Sequence, residues 1–200
     1  LKPSLEALPS TKTALNRPYT RPELAVLMAY TKLGLSRRLL ETSFPDEPHF
    51  QRYLYSYFPK ALQERFPDAI AAHPLRREII ATQFTNTVVG TLGVSFVHRT
   101  LRETGSSPVA VVRAGLVTLD LIAAPELAAA VLERSAPTGA QYAELDLLSR
   151  AVEATVAWLL RGNVRVDPLP EFMAAYGEPL KVLRQGLGEL LVGEELERYQ

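Results

Sequence analysis

The longest stretch without a charged side chain lies between Glu78 and His98, inside a segment that runs from Leu75 to Thr104. Its apolar residues point in nearly every direction when they are placed at 100° per residue: Ile79, Ile80, Phe84, Val88, Val89, Leu92, Val94, Phe96 and Val97. A helix that is apolar on all sides is surrounded by protein. The pattern therefore predicts one long buried central helix over about 74–104, around which the rest of the chain is built.

The ends of this segment carry residues typical of helix ends. Pro74 suits the first turn, Gly105 suits the residue after the last turn, and Arg99 and Arg102 suit the negative end of the helix dipole.

Two other structures for this segment stay open. A membrane span has a similar length, although its threonines and amides would need partners in lipid and arginines flank both ends. A β-hairpin is the other, because valines around two glycines favour strands.

Helix start and stop signals recur along the rest of the chain. Thr20 and Glu23 form a capping box, so the first helix is predicted from there to about Thr42. Residues 46–58 form a second predicted helix, and prolines within 59–74 allow only short helical turns. Further helices are predicted to begin at Pro108 and to run from Pro125 to about Glu133. Another is predicted from Thr138, which can cap that helix, to about Arg161. The chain is predicted to end in a pair of helices interrupted at Gly177–Pro179 and Gly193.

Composition narrows the fold and the partners. The 200 residues are 47% hydrophobic, which is enough for one core. Residues 1–18 are predicted to be a linker or extended arm, and 19–200 a single all-α domain, an irregular multi-helix bundle. A formal net charge of zero argues against nucleic acid as a partner. The chain has no cysteine, no initiator methionine and no signal-peptide pattern, so we expect a cytoplasmic piece of a longer protein. A membrane is not an expected partner of this segment.

The usual templates for catalysis do not fit the sequence. Gly186 and Gly188 lack a third glycine at the spacing of a dinucleotide-binding loop. The three histidines lie far apart, without the i, i+4 partner of a helical metal site, and His73 is interpreted as a cap before a proline. Gly90 and Gly93 are interpreted as points of close approach by another helix. We expect no catalytic, cofactor-binding or metal-binding residue in this segment.

Two groups of residues are candidates for contacts with another domain or subunit. Gln83 and Asn86 stand within the uncharged stretch, where an unpartnered buried amide costs about 1–3 kcal/mol, so each needs a partner inside the domain or on another one. The second group is an apolar stripe at i, i+4, i+7 and i+11 of the helix over 140–161: Leu147, Ala151, Ala154 and Trp158. It lies across from a stripe of leucines and valines. Such a helix is either sandwiched in its own domain or lends one face to a neighbour.

Three blocks of the sequence together resemble the C-terminal region of the large bacterial NAD-specific glutamate dehydrogenases. They are TRPELAVLMAYTKLGL (20–35), YFPKAL (57–62) and HPLRREIIAT (73–82), and ETGSSPVAVVRA (103–114) fits the same family. The resemblance implies a long parent enzyme that oxidatively deaminates L-glutamate to 2-oxoglutarate and ammonium and reduces NAD. The catalytic lysines, the aspartate and the Rossmann domain of that family are expected upstream, and none maps onto a residue here.

What the resemblance implies for this segment is a non-catalytic C-terminal domain, inactive alone and without a cofactor of its own. Its expected role is to brace the upstream catalytic domain or to mediate subunit contacts in a homo-oligomer. A free-standing helical module for protein–protein interaction is the alternative.

Overall fold

The structure, a computed structural model, describes residues 18–162, 164, 166 and 168–185. These residues contain ten α-helices and no β-strand, which confirms the predicted all-α fold. The helices are α1 (Arg21–Leu40), α2 (Arg52–Tyr55), α3 (Lys60–Arg65), α4 (Pro67–Ala71), α5 (Arg76–Leu92), α6 (Phe96–Thr104), α7 (Pro108–Leu121), α8 (Ala124–Glu133), α9 (Thr138–Arg161) and α10 (Leu169–Gln185). The predicted arm at 1–18 lies, except for its last residue, outside the described residues, and so does Gly193; the domain boundary stays a prediction.

Several helix ends lie where capping chemistry places them. The Thr20 backbone N–H donates to Glu23 Oε2 at 2.8 Å, and the Glu23 N–H donates to Thr20 Oγ1 at 3.5 Å, which confirms the capping box of α1. Ser107 Oγ accepts from the Ala110 N–H at 3.2 Å at the start of α7. Gly105 ends α6 with a φ of 69°, in the left-handed region that glycine adopts without strain.

The predicted single helix over 74–104 was wrong, because the segment forms two helices. α5 ends at Leu92 and α6 begins at Phe96. Between them Gly93 has a φ of 86° and a ψ of 158°, a conformation that is essentially confined to glycine and that breaks the helix. A Cβ atom at Gly90 or at Gly93 would meet nothing within 4 Å. Neither glycine is therefore a point of close approach by another helix.

The helix that the domain surrounds is α7 rather than α5. α5 exposes Glu78, Thr82, Asn86 and Gly90, which recur every four residues along one side. α7 buries eight residues and packs against α1, α5, α6, α8, α9 and α10. No single helix among the described residues is long and apolar enough to cross a bilayer; α7 and α8 reach that length and composition only as a pair, bent by 57°.

Three other predicted elements differ in the structure. The helix expected over 46–58 is replaced by 3-10 turns at Phe44–Asp46 and Pro48–Phe50 and the single-turn α2, because prolines remove backbone donors there. The expected break at Gly177–Pro179 is absent, since α10 continues through Pro179, whose side chain is exposed. Pro137, and not Thr138, is the residue that precedes α9.

An aromatic cluster anchors the 3-10 turns and α2 on α5. The Phe84 ring centroid lies 4.7 Å from that of Phe44, 5.2 Å from that of Phe50 and 5.1 Å from that of Tyr53. The three phenylalanines are at most 3% exposed. Tilted and edge-to-face aromatic pairs each contribute about 0.5–1.5 kcal/mol beyond their buried area. These contacts position a segment that has little helix of its own.

Candidate contact surface

The apolar stripe of α9 formed by Leu147, Ala151, Ala154 and Trp158, called the α9 stripe below, lies at the surface. Leu147 is 61% exposed and Trp158 is 57% exposed, and both alanines are exposed. The opposite side of α9 is buried through Val152, Val156 and Leu159, against α7 and its neighbours. α9 is thus not sandwiched among the described residues, which leave its outer face exposed.

A second exposed apolar surface lies on α1. Leu24, Met28, Leu35 and Leu39 fall within about 60° of one another at 100° per residue, so they share one face of the helix. Leu35 and Leu39 are buried, whereas Leu24 is 51% exposed and Met28 is 43% exposed. The face that packs on the core therefore continues past the edge of the domain. Sequence periodicity alone does not show that the described residues leave the N-terminal half of this face exposed.

Gln83 and Asn86 lie away from the α9 stripe, on α5. Asn86 is exposed and its Oδ1 accepts a hydrogen bond from Lys32 Nζ of α1 at 3.0 Å. Gln83 is half-buried. The amide of Asn86 thus has its partner inside the domain, and the structure does not bring the two amides together with Trp158 into one surface.

An apolar cavity of about 230 Å³ opens beside Trp158, between α7, α9 and α10. Its walls are formed mainly by apolar and aromatic side chains: Val117, Leu121, Trp158, Leu159, Phe172, Tyr176 and Leu180, with Thr118 and Thr155. Sequence reasoning did not single out Phe172 or Tyr176, because the loop before α10 hides which helix α10 faces. The cavity makes the surface around Trp158 concave as well as apolar.

A polar cluster joins the Pro48–Phe50 turn and α2 to the end of α7. Asp120 Oδ2 lies 3.1 Å from His49 Nε2 and pairs with the Arg52 guanidinium. That guanidinium lies 5.0 Å from the Tyr53 ring centroid. Burial, together with the nearby Asp120 carboxylate, raises the pKa of Tyr53. Through Asp120 the arrangement ties the segment from His49 to Tyr53 to the end of α7.

The side chains of the described residues also bear on whether this segment could bind a metal ion. No group of three or more histidine, cysteine, aspartate or glutamate side chains among the described residues could hold a metal ion. The described residues leave both of these apolar regions exposed: the α9 stripe with its adjoining cavity, and the N-terminal half of the α1 face.

Comparison with known proteins relates the chain to a family. The family described as "Glutamate dehydrogenase, C-terminal" matches residues 16–200. The chain is 33% identical to the NAD-specific glutamate dehydrogenase of Halomonas elongata over 98% of its length, 32% identical to that of Pseudomonas aeruginosa over 98%, and 34% identical to that of Mycobacterium tuberculosis over 96%. It spans only 12–13% of the length of these relatives.

Proposed function

Because the chain belongs to the glutamate dehydrogenase C-terminal family, we propose that it is the C-terminal helical domain of a large, cytoplasmic NAD-dependent glutamate dehydrogenase. The parent enzyme would convert L-glutamate, NAD and water to 2-oxoglutarate, ammonium and NADH. The domain itself would be non-catalytic, and would brace the catalytic part or join subunits. Membership over residues 16–200 supports the identity of the parent.

The positions of the lysines support a non-catalytic role. Glutamate dehydrogenases of this kind are expected to use lysines in catalysis, and the described residues include three. Lys32 bonds Asn86 at the surface, Lys60 is exposed, and Lys181 is exposed beside Glu178. None of the three lies in the apolar cavity beside Trp158. A catalytic lysine is typically enclosed in an apolar pocket or placed beside a second cation. Lys60 and Lys181 are instead exposed, and Lys32 contacts an amide.

The bracing role depends on the continuous apolar face of α1. Exposed apolar side chains that continue a packed core at the surface are typical of a protein–protein contact site. In the relatives, most of the polypeptide lies outside the segment that this chain matches, which leaves room for a partner in the same chain. The upstream catalytic part is therefore the proposed partner of Leu24 and Met28. A free-standing interaction module would present the same face to a different protein.

The first test concerns cofactor binding. Purified residues 1–200 should neither bind NAD nor reduce it with glutamate, because no phosphate-binding loop is evident in the sequence and no activated lysine among the described residues. Titration calorimetry with NAD and absorbance at the NADH band measure the two activities. Saturable NAD binding by this chain would contradict the proposal that the domain is non-catalytic and has no cofactor of its own.

The second test concerns the α1 face, in the full-length product of the gene. Replacing Leu24 and Met28 with aspartate should lower its melting temperature, because the two charges would be buried against the catalytic part without partners. In residues 1–200 alone each of the two changes should alter the free energy of unfolding by about 0.5 kcal/mol or less, since both positions are exposed there.

Leu33 provides the matched control, since it is 60% exposed on the opposite side of α1. Leu33→Asp places one aspartate on the same helix but away from the shared face, and it is compared with Leu24→Asp and Met28→Asp singly as well as with the double variant. If the Leu24 and Met28 variant melts like the Leu33 variant in the full-length protein, the α1 face does not brace the enzyme.

A further inference from the structure

The outer face of α9 carries the pattern of a helix that pairs with a copy of itself. We infer that α9 packs antiparallel against α9 of a second copy of this chain, about a two-fold axis that passes between residues 152 and 153. The inference depends on the proposed function, in which this domain makes contacts with other protein surfaces. It identifies the partner of the α9 stripe, whereas the proposed partner of the α1 face is the catalytic part.

Six residues form the seam of this pairing: Glu144, Leu147, Ala151, Ala154, Trp158 and Arg161. Their spacing alternates between three and four residues, as in the contact positions of a coiled coil. In a coiled coil the neighbouring helix covers these positions, whereas here Leu147 and Trp158 are more than half exposed. A twofold axis at the centre of the seam pairs each residue with another residue of the same six, which a self-complementary contact requires.

Side-chain size supports this register. At the two central layers Ala151 lies opposite Ala154 of the second copy, so the backbones can approach to the short end of the usual 8–10 Å between helix axes. In the next layer outward Leu147 lies opposite Trp158 of the second copy. Small residues at the centre and larger residues towards both ends suit two helices that cross at an angle, because the helix axes diverge away from the crossing point.

Charge determines the direction of the pairing. In the antiparallel register Glu144 lies opposite Arg161 of the second copy at each end of the seam. A parallel pair would instead place Glu144 against Glu144 and Arg161 against Arg161, which repel. Within its own chain Glu144 pairs with Arg134 and Arg161 pairs with Glu103, and these side chains keep 36–57% exposure, so they remain accessible from outside.

The area of the seam determines the strength of the pairing. The six residues span about 26 Å of helix at ~1.5 Å per residue. Trp158 exposes about 140 Å², which is 57% of roughly 250 Å². One helix pair of this length falls below the roughly 1,200–2,000 Å² of stable complexes. Residues 1–200 should therefore associate weakly, and covalent linkage to a larger oligomer would raise the effective concentration.

Disulfide trapping tests the pairing directly, because the chain has no cysteine of its own. Glu144→Cys and Arg161→Cys chains should each fail to crosslink with themselves, because identical positions lie about 26 Å apart along the seam. An equimolar mixture of the two should form the mixed disulfide. The control mixture pairs Arg161→Cys with Ala129→Cys, an exposed position on α8. The wild-type Trp158 emission should also shift to shorter wavelength as the protein is concentrated.

Each outcome separates the two ideas. Self-crosslinking of the single variants would indicate a parallel pair, and a mixture that crosslinks no faster than the Ala129→Cys control would indicate no pair; either overturns the inference. If that happens while the Leu24 and Met28 variant still destabilises the full-length protein, the proposed function stands without the self-pairing. If the α1 variants also behave like Leu33→Asp, the proposed contact role fails as well.

Discussion

Replacing Phe84 with alanine is expected to lower the free energy of unfolding by about 3–5 kcal/mol. The ring of Phe84 is fully buried and contacts Phe44, Phe50 and Tyr53 with centroid distances of 4.7–5.2 Å. The substitution removes a large apolar group and leaves a cavity that its rigid aromatic neighbours can fill only in part. It also loosens the 3-10 turns, which depend on this ring for their position. Urea denaturation followed by far-ultraviolet circular dichroism measures the loss.

Tyr142→Ala is the matched control for the loss of an aromatic ring. Tyr142 is 66% exposed on α9, so its removal should change the free energy of unfolding by about 0.5 kcal/mol or less. Phe84→Leu, which keeps most of the volume, should lie between the two. A loss below about 1 kcal/mol for Phe84→Ala would show that the ring is not the centre of the core contact between α5 and the 3-10 turns.

Local chemistry explains which features of the fold are predictable from the sequence. The ends of α1, α6 and α7 are set by Thr20, Gly105 and Ser107, whose side chains or backbone freedom act within four residues. The break between α5 and α6 is not predictable in this way, because glycine is permitted in a helix as well as at φ +86°. Which conformation Gly93 adopts depends on where α6 must pack. The burial of α7 is likewise set by its neighbours and not by its own pattern.

The exposure of a helix face is likewise not predictable from the sequence of that helix alone. Periodicity identified the α9 stripe as apolar, because hydrophobic spacing is a property of one helix. Whether a face is covered depends on other helices, so only the structure could show that Leu147, Trp158 and Leu24 are exposed. The combination of an apolar spacing and an uncovered position is what indicates a contact surface. For Asn86 the structure instead shows a partner inside the domain, Lys32. This contact is not predictable from the sequence, because the two residues lie on different helices.

The last prediction concerns the backbone at Gly93. Gly93→Ala is expected to lower the free energy of unfolding by about 1–3 kcal/mol, because alanine is strained at a φ of 86° and a ψ of 158°. The alternative for the variant is to extend α5 without the break, which would move α6 and uncover Phe96, a fully buried residue. Either route costs stability, and thermal or urea denaturation measures it.

Gly90 supplies a control that isolates the backbone from packing. A Cβ atom at either glycine would meet nothing within 4 Å, so the two substitutions differ only in conformation. Gly90 lies inside α5, where alanine is the better helix former by about 1 kcal/mol, so Gly90→Ala should raise stability while Gly93→Ala lowers it. Opposite signs at two glycines three residues apart would establish that Gly93 ends α5 through its φ angle. Equal stabilisation by both would mean that α5 and α6 are one continuous helix after all.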